Sequence, residues 1–200
     1  MKSSLFILSF FVSGILIGLF SFLPRFLSEH DFTLYALYAL LFFVGIGIGS
    51  ETKAWRIIRL AGTKIVLVPL SVIVGTLAGV GVASVFVPEV SLTESLAVGA
   101  GFGYYSLSSV LISQIRGETL GVIALLSNLI REIATIVITP VLAKYCGRLA
   151  PIASGGATSM DTTLPVITTF IGKEYAMISV FSGIVLSILS PLLIILLLRA

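Results

Sequence analysis

The chain has 200 residues, of which 58% are hydrophobic and only 10% charged, with a formal net charge of +3. A soluble domain of this size carries roughly a quarter charged residues, so water is not the solvent for most of this surface. A single cysteine and a single histidine exclude an internal disulfide and a Cys/His metal cluster, and no basic run is interleaved with aromatics as a nucleic-acid surface requires.

Segment one, about 4–23, follows Met1-Lys2 and ends at Pro24-Arg25. Its apolar run from Leu5 to Leu23 is longer than the ~7–15 residues of a signal-peptide core, and no A-x-A-like cleavage site follows, so it reads as a first membrane helix. His30 lies in a polar loop, Ser28-Glu29-His30-Asp31, away from any intramembrane proton relay. Segment two, about 32–50, has an apolar body, Leu34–Ile48, carrying Gly45 and Gly47 and followed by Gly49. The most basic stretch comes next, with Lys53, Arg56, Arg59 and Lys64 around Trp55, an interfacial anchor. Segment three, about 65–87, stops before Pro88.

Ser91-Leu92-Thr93-Glu94 has the form of a capping box and gives Glu94 a structural role. Segment four, about 95–114, holds Gly99, Gly101, Gly103, Tyr104, Tyr105, Ser106, Ser108 and Ser109. Segment five is about 119–143, with Cys146 as a small filler just beyond its end. Segment six, about 151–171, contains Ser154-Gly155-Gly156-Ala157-Thr158-Ser159-Met160-Asp161 and then Pro165. Segment seven, about 174–198, is apolar apart from small and hydroxyl residues and Pro191.

This order predicts an all-α fold, a polytopic transmembrane helical bundle in which 95–114 and 151–171 are broken or re-entrant. It is one transporter domain over 1–200. About 1–64 supplies peripheral helices and a basic cytoplasmic loop, and about 65–200 supplies the core carrying the substrate site. The four cations of 51–64 put that loop inside, and the uncharged-to-acidic loop 88–94 outside. Making segments four and six re-entrant moves Lys144 and Arg148 inside and Arg116 outside, which sharpens the bias.

Two carboxylates fall at membrane depth, Glu132 in segment five and Asp161 in segment six. An ionised carboxylate there costs at least ~2.5–3.5 kcal/mol, so each needs a partner, a wet cavity or a proton. Asn128, Arg131, Glu132, Thr135 and Thr139 share one helical face, which must meet protein or water rather than lipid. Arg131 pairing with an acid to tie helices together is the structural reading of that residue. In segment six Gly155-Gly156 opens the backbone, and Thr162 or Thr163 caps a second half-helix with Pro165 in its first turn. Asp161 then sits at the break, with Thr158, Ser159 and Thr162 around it; a tight helix contact through small residues is the alternative. In segment four, Gly99-x-x-x-Gly103 fits close packing as well as it fits a second break at Gly101 and Gly103, where Tyr105, Ser106 and Ser108 line the same cavity.

Three stretches resemble a known family. They are Gly101-Phe102-Gly103-Tyr104-Tyr105-Ser106-Leu107-Ser108, Asn128-Leu129-Ile130-Arg131-Glu132, and the most specific, Gly156-Ala157-Thr158-Ser159-Met160-Asp161-Thr162-Thr163-Leu164-Pro165. Together they are similar to the LysO family of L-lysine exporters, from about Leu34 to the C-terminus and most strongly over 97–165. The resemblance implies export of L-lysine and of toxic lysine analogues across the cytoplasmic membrane, with Glu132 and Asp161 as the essential acids. Longer members carry an extra N-terminal membrane region that this sequence lacks, which raises the expectation of a homodimer. Some carry an aspartate where this chain has Asn128, which bears on ion coupling and substrate choice.

The expected mechanism follows. Lysine's ammonium groups pair with Glu132 and Asp161, Arg131 or a half-helix N-terminus holds the α-carboxylate, and a proton on either acid weakens binding. That couples lysine to protons, with sodium as the other candidate ion. The alternative is a cation/proton antiporter or an organic-solute transporter of similar broken-helix design. No enzyme is expected: no histidine or second metal ligand lies in the membrane, a two-aspartate protease needs a second intramembrane aspartate, and neither cofactor nor metal is implied. A structural half-subunit without activity of its own is the remaining reading.

Overall fold

The computed structural model describes Gly62–Arg199, with side chains from Ile65 onward, and before them Ser13, Leu16, Ile17, Tyr35, Tyr38, Ala39, Phe42, Phe43 and Ile46. Apart from these single positions, the first two apolar segments lie outside the described residues, as do His30 and the basic stretch around Trp55. The chain divides into two compact units, Met1–Phe42 and Phe43–Ala200.

Within the second unit, α1 is Gly62–Ala83, closed by a 3-10 turn at Ser84–Phe86. Then come α2 (Leu92–Gly99), α3 (Tyr105–Arg116) and the long α4 (Glu118–Tyr145). Next are α5 (Ala150–Gly155), a 3-10 turn at Gly156–Met160 and α6 (Leu164–Ile171). A last 3-10 turn, Lys173–Tyr175, leads into α7 (Ala176–Arg199). All regular structure among the described residues is helical. Three stretches are long and apolar enough to cross a membrane: Ile65–Phe86, Glu118–Tyr145 and Lys173–Arg199. Helices α2, α3, α5 and α6 have 8, 12, 6 and 8 residues, each short of the ~20 that one crossing takes.

Helix α4 shows which solvent this bundle expects. Its outward face carries exposed Val122, Leu126, Ile130, Ile133, Val137 and Val141, whereas Asn128, Glu132, Thr135 and Thr139 are buried. A water-soluble helix does the reverse. The apolar face suits lipid, and the polar face, one turn below another, points into protein.

Small residues set the close contacts. Gly117, at φ +96°, turns α3 into α4, and a side chain at Gly121 would run into Ser113 of α3. A satellite core of Val68, Ile152, Ile167 and Ile171 joins α1, α5 and α6. Pro69, Pro140 and Pro191 lie inside the three long helices. Having no amide hydrogen, they leave the carbonyls of Ile65, Ile136 and Ser187 without their helical donors.

The capping box is present. Ser91 N–H donates to Glu94 Oε2 at 3.0 Å, and Glu94 N–H donates to Ser91 Oγ at 3.3 Å. Bonds from the Ser91 hydroxyl and amide hold the Glu94 carboxyl below its ordinary value at this exposed rim.

Candidate functional site

Two interruptions of helical backbone meet within the second unit. One separates α2 from α3 at Ala100–Tyr104; the other separates α5 from α6 across Gly156–Thr163. Ala157 N–H donates to Phe102 O at 2.8 Å, so backbone touches backbone where they cross. Phe102 is fully buried and holds φ +48°, a conformation costing a non-glycine residue about 1–3 kcal/mol. Gly156 holds φ +61°, and a side chain there would strike the Phe102 carbonyl and the Arg131 guanidinium. At Gly101 a side chain would displace the Asn128 amide and the Ser108 hydroxyl.

Each interruption is held by a different side chain of α4. The Asn128 amide accepts from Gly103 N–H at 2.7 Å and donates to Val98 O at 3.1 Å and Ala124 O at 2.9 Å. Its two donors aim at carbonyls, an arrangement an ionised aspartate could not reproduce. Arg131 Nε donates to Ser154 O at 2.9 Å, its Nη2 to Ala153 O at 3.1 Å and its Nη1 to Thr76 Oγ1 at 3.2 Å. The guanidinium therefore caps the carbonyl end of the short α5, where the helix dipole is negative. The reading in which Arg131 pairs with an acid gives way to this one: its bonds go to neutral oxygens, because the α5 terminus has unsatisfied carbonyls in reach. One turn on, the Thr135 and Ser154 hydroxyls lie 2.8 Å apart, and Thr139 Oγ1 donates to Thr135 O at 2.6 Å.

Glu132 is 8% exposed, and its Oε2 is buried with no hydrogen-bond partner. Asp161 differs in every respect. It is exposed on the second interruption, with Oδ1 accepting from Thr162 N–H at 2.6 Å and, more weakly, from Thr162 Oγ1 at 3.4 Å. Thr163 occupies the N-cap position of α6, but its hydroxyl does not cap; it donates to Thr158 O at 3.0 Å and closes the turn that presents Asp161. Thr158 in turn donates to Gly155 O at 2.9 Å. Pro165 sits in the first turn of α6.

Asp161 opens onto a cavity of about 130 Å³ that is also lined by Gly103, Tyr105, Ser106, Thr158 and Thr162. That space exceeds the ~10–15 Å³ needed for one water. Of the other residues singled out in the sequence, Ser108 is buried and donates to Tyr104 O at 2.8 Å. Ser159 is buried against α7, where Ser159 Oγ donates to Ser179 O at 3.0 Å and Ser179 Oγ returns a bond to Ser159 O at 2.7 Å. Glu132 lines neither this cavity nor the one described next.

A second cavity, about 260 Å³, lies between α1, α2 and α4, with Arg131 and Asn128 among its lining residues. The two cavities share no lining residue; Asn128 lines one and holds Gly103, which lines the other. Sequence reasoning passed over Tyr104, Met160 and Ser187 in the first cavity, and over Thr76 and Ser127 in the second. A signal existed for Ser187. Ser179, Ser182, Ser187 and Ser190 are all buried on α7, at offsets that keep them to one side of the helix. Ser182 Oγ and Ser190 Oγ have no partner there.

The remaining charges among the described residues sit at or near helix ends. Among the described residues the ion pair is Arg148–Glu174 at 3.7 Å, exposed and so worth little. Arg148 also lies 5.8 Å from the Tyr175 ring centre.

A family model described as lysine exporter LysO matches residues 8–198. An Escherichia coli K12 protein named lysine exporter LysO is 34% identical over 160 residues, covering 80% of this chain and 52% of that protein. The chain thus matches about half the length of that relative. A Haemophilus influenzae protein provisionally named a lysine exporter is 34% identical over 165 residues, covering 81% of this chain and 82% of its own length. No solved structure matches the chain significantly.

Proposed function

Because the chain belongs to the LysO lysine exporter family, we propose that it carries L-lysine out across the cytoplasmic membrane in exchange for protons. The observation that carries this reading is Asp161. It is an acid on an interrupted helix, it lines a cavity, and among the described residues it forms no ion pair. An ammonium group entering that cavity supplies the missing charge. Ser106, Thr158 and Thr162 offer hydroxyl and carbonyl oxygens to replace water around it, and Tyr104 and Tyr105 offer ring faces. Ser187, also on the wall, has a carbonyl released by Pro191.

Glu132 has the other role. Its buried oxygen without a donor is a place where one proton changes the local energy strongly. Lysine on Asp161 and a proton on Glu132 can then be linked through the intervening crossing, which α4 holds by Asn128 and Arg131. This divides between two sites what the sequence alone assigns to one pair of carboxylates. Toxic lysine analogues that keep the side-chain ammonium are expected to follow lysine.

The test is efflux of labelled lysine from proteoliposomes containing the full chain. Asp161→Asn is expected to lower efflux at least tenfold. Glu132→Gln is expected to remove its dependence on a pH gradient while lysine still competes for binding. Full activity in both variants overturns the proposal, and sodium-dependent transport without lysine favours a cation antiporter instead.

A further inference from the structure

We infer that the cavity between α1, α2 and α4 is a binding site for a carboxylate on a short aliphatic chain, separate from the Asp161 cavity. Arg131 carries the inference. Its guanidinium has five N–H donors, and three atoms, Nε, Nη1 and Nη2, bond to Ser154 O, Thr76 Oγ1 and Ala153 O. Each terminal nitrogen keeps a further N–H, and every acceptor found is neutral. Among the described residues no acid forms an ion pair with it, although Glu132 is its neighbour in sequence. A cation held between apolar helices and met only by dipoles is an incomplete arrangement, because a charge withdrawn from bulk water is ordinarily paired.

Arg131 is half-buried. Arg131 and its partner Thr76 line a cavity of about 260 Å³. Val80, Val98 and Ile123 form apolar wall around them, and Ser127 stands one turn before Arg131 on α4. One end of the space therefore offers planar N–H donors suited to a carboxylate, and the rest offers hydrocarbon suited to methylene groups. A bare inorganic anion satisfies the first half of that description and wastes the second. The chemistry fits the α-carboxylate end of an amino acid or a fatty acid drawn from the bilayer, and the volume favours the shorter chain. Identifying the ligand with the carboxylate of exported lysine rests on the function proposed above; the site itself does not.

The probe is labelled valerate, a five-carbon carboxylate with no ammonium group to engage Asp161. Its equilibrium binding is measured on the purified full chain in detergent, with lysine, 1,5-diaminopentane and palmitate as competitors. Saturable binding is expected, displaced by lysine and not by the diamine. Ser127→Phe puts a large side chain into the cavity wall from an exposed position and touches none of the Arg131 bonds to α5, so it is expected to weaken valerate at least tenfold. Arg131→Gln is expected to do the same. Because Arg131 also holds α5, Ser127→Phe is the deciding variant if the glutamine variant does not fold. Asp161→Asn is expected to leave valerate unchanged. Absence of saturable binding, indifference to Ser127→Phe, or binding of palmitate but not valerate overturns the proposal. Valerate binding without lysine efflux would remove the transport reading and leave the site standing. Lysine efflux without valerate binding would remove the site alone.

Discussion

The two interrupted segments, α2–α3 and α5–α6, look alike in sequence, since both are rich in glycine and hydroxyl residues. They are held by different means. The first begins with a full capping box at Ser91, and its interruption is pinned by a neutral amide, Asn128. The second has no side-chain cap at Leu149 or Thr163; a guanidinium, Arg131, grips the end of α5, and its own hydroxyls close the turn. The segment that presents the acid is thus the one anchored by a charge. A charged anchor is strong while dry and sensitive to any ion that arrives beside it, whereas an amide anchor is largely indifferent to charge.

Substitutions can break this contrast. Arg131→Gln should cost the most, roughly 3 kcal/mol in a reversible detergent-unfolding titration, because charge-assisted bonds to two α5 carbonyls are lost. Hydrogen exchange should then rise over 150–160 and stay low over 92–103. Asn128→Leu should reverse the pattern at a cost of about 2 kcal/mol, three interhelical or local bonds at the ~0.6 kcal/mol typical inside a membrane. Equal loosening of both segments by either variant would end the distinction. Ser91→Ala should cost about 1 kcal/mol, read as faster exchange at Leu92–Ser95. The cap should also weaken in acid. Because the folded state holds the Glu94 carboxyl below its ordinary value, that contribution is complete above the unfolded carboxyl's titration and is lost as pH falls through the lower, folded one. Thr163→Val should have the smallest effect, about 0.6 kcal/mol, confined to the turn before α6.

Much of this architecture is legible in the residues. The apolar runs at about 65–87, 119–143 and 174–198 correspond to Ile65–Phe86, Glu118–Tyr145 and Lys173–Arg199, because twenty apolar residues leave few other structures. The Ser91–Glu94 cap is local and is readable for that reason. The shared face of Asn128, Glu132, Thr135 and Thr139 is fixed by helical period alone, and all four are buried. What the pattern does not contain is which distant backbone each residue meets. Nothing near Arg131 in sequence indicates that the carbonyls of Ala153 and Ser154 await it, since those become free only where α5 ends. Likewise Glu132 and Asp161 are equivalent on a hydropathy scale, yet one is enclosed in α4 and the other lines a cavity. The α7 serines are visible in the sequence but do not stand out there, because serine in an apolar helix ordinarily bonds back to its own carbonyls.

The crossing has a consequence for genetics. Gly156 touches no expected ligand, yet any side chain there meets the Phe102 carbonyl while the backbone sits at φ +61°. On the lysine export proposed above, a selection for its loss should therefore return Gly156 replacements beside Asp161 replacements, indistinguishable by phenotype. Protein abundance in the membrane separates them: the glycine alleles are expected to be depleted, and the aspartate alleles to accumulate to normal levels as intact protein.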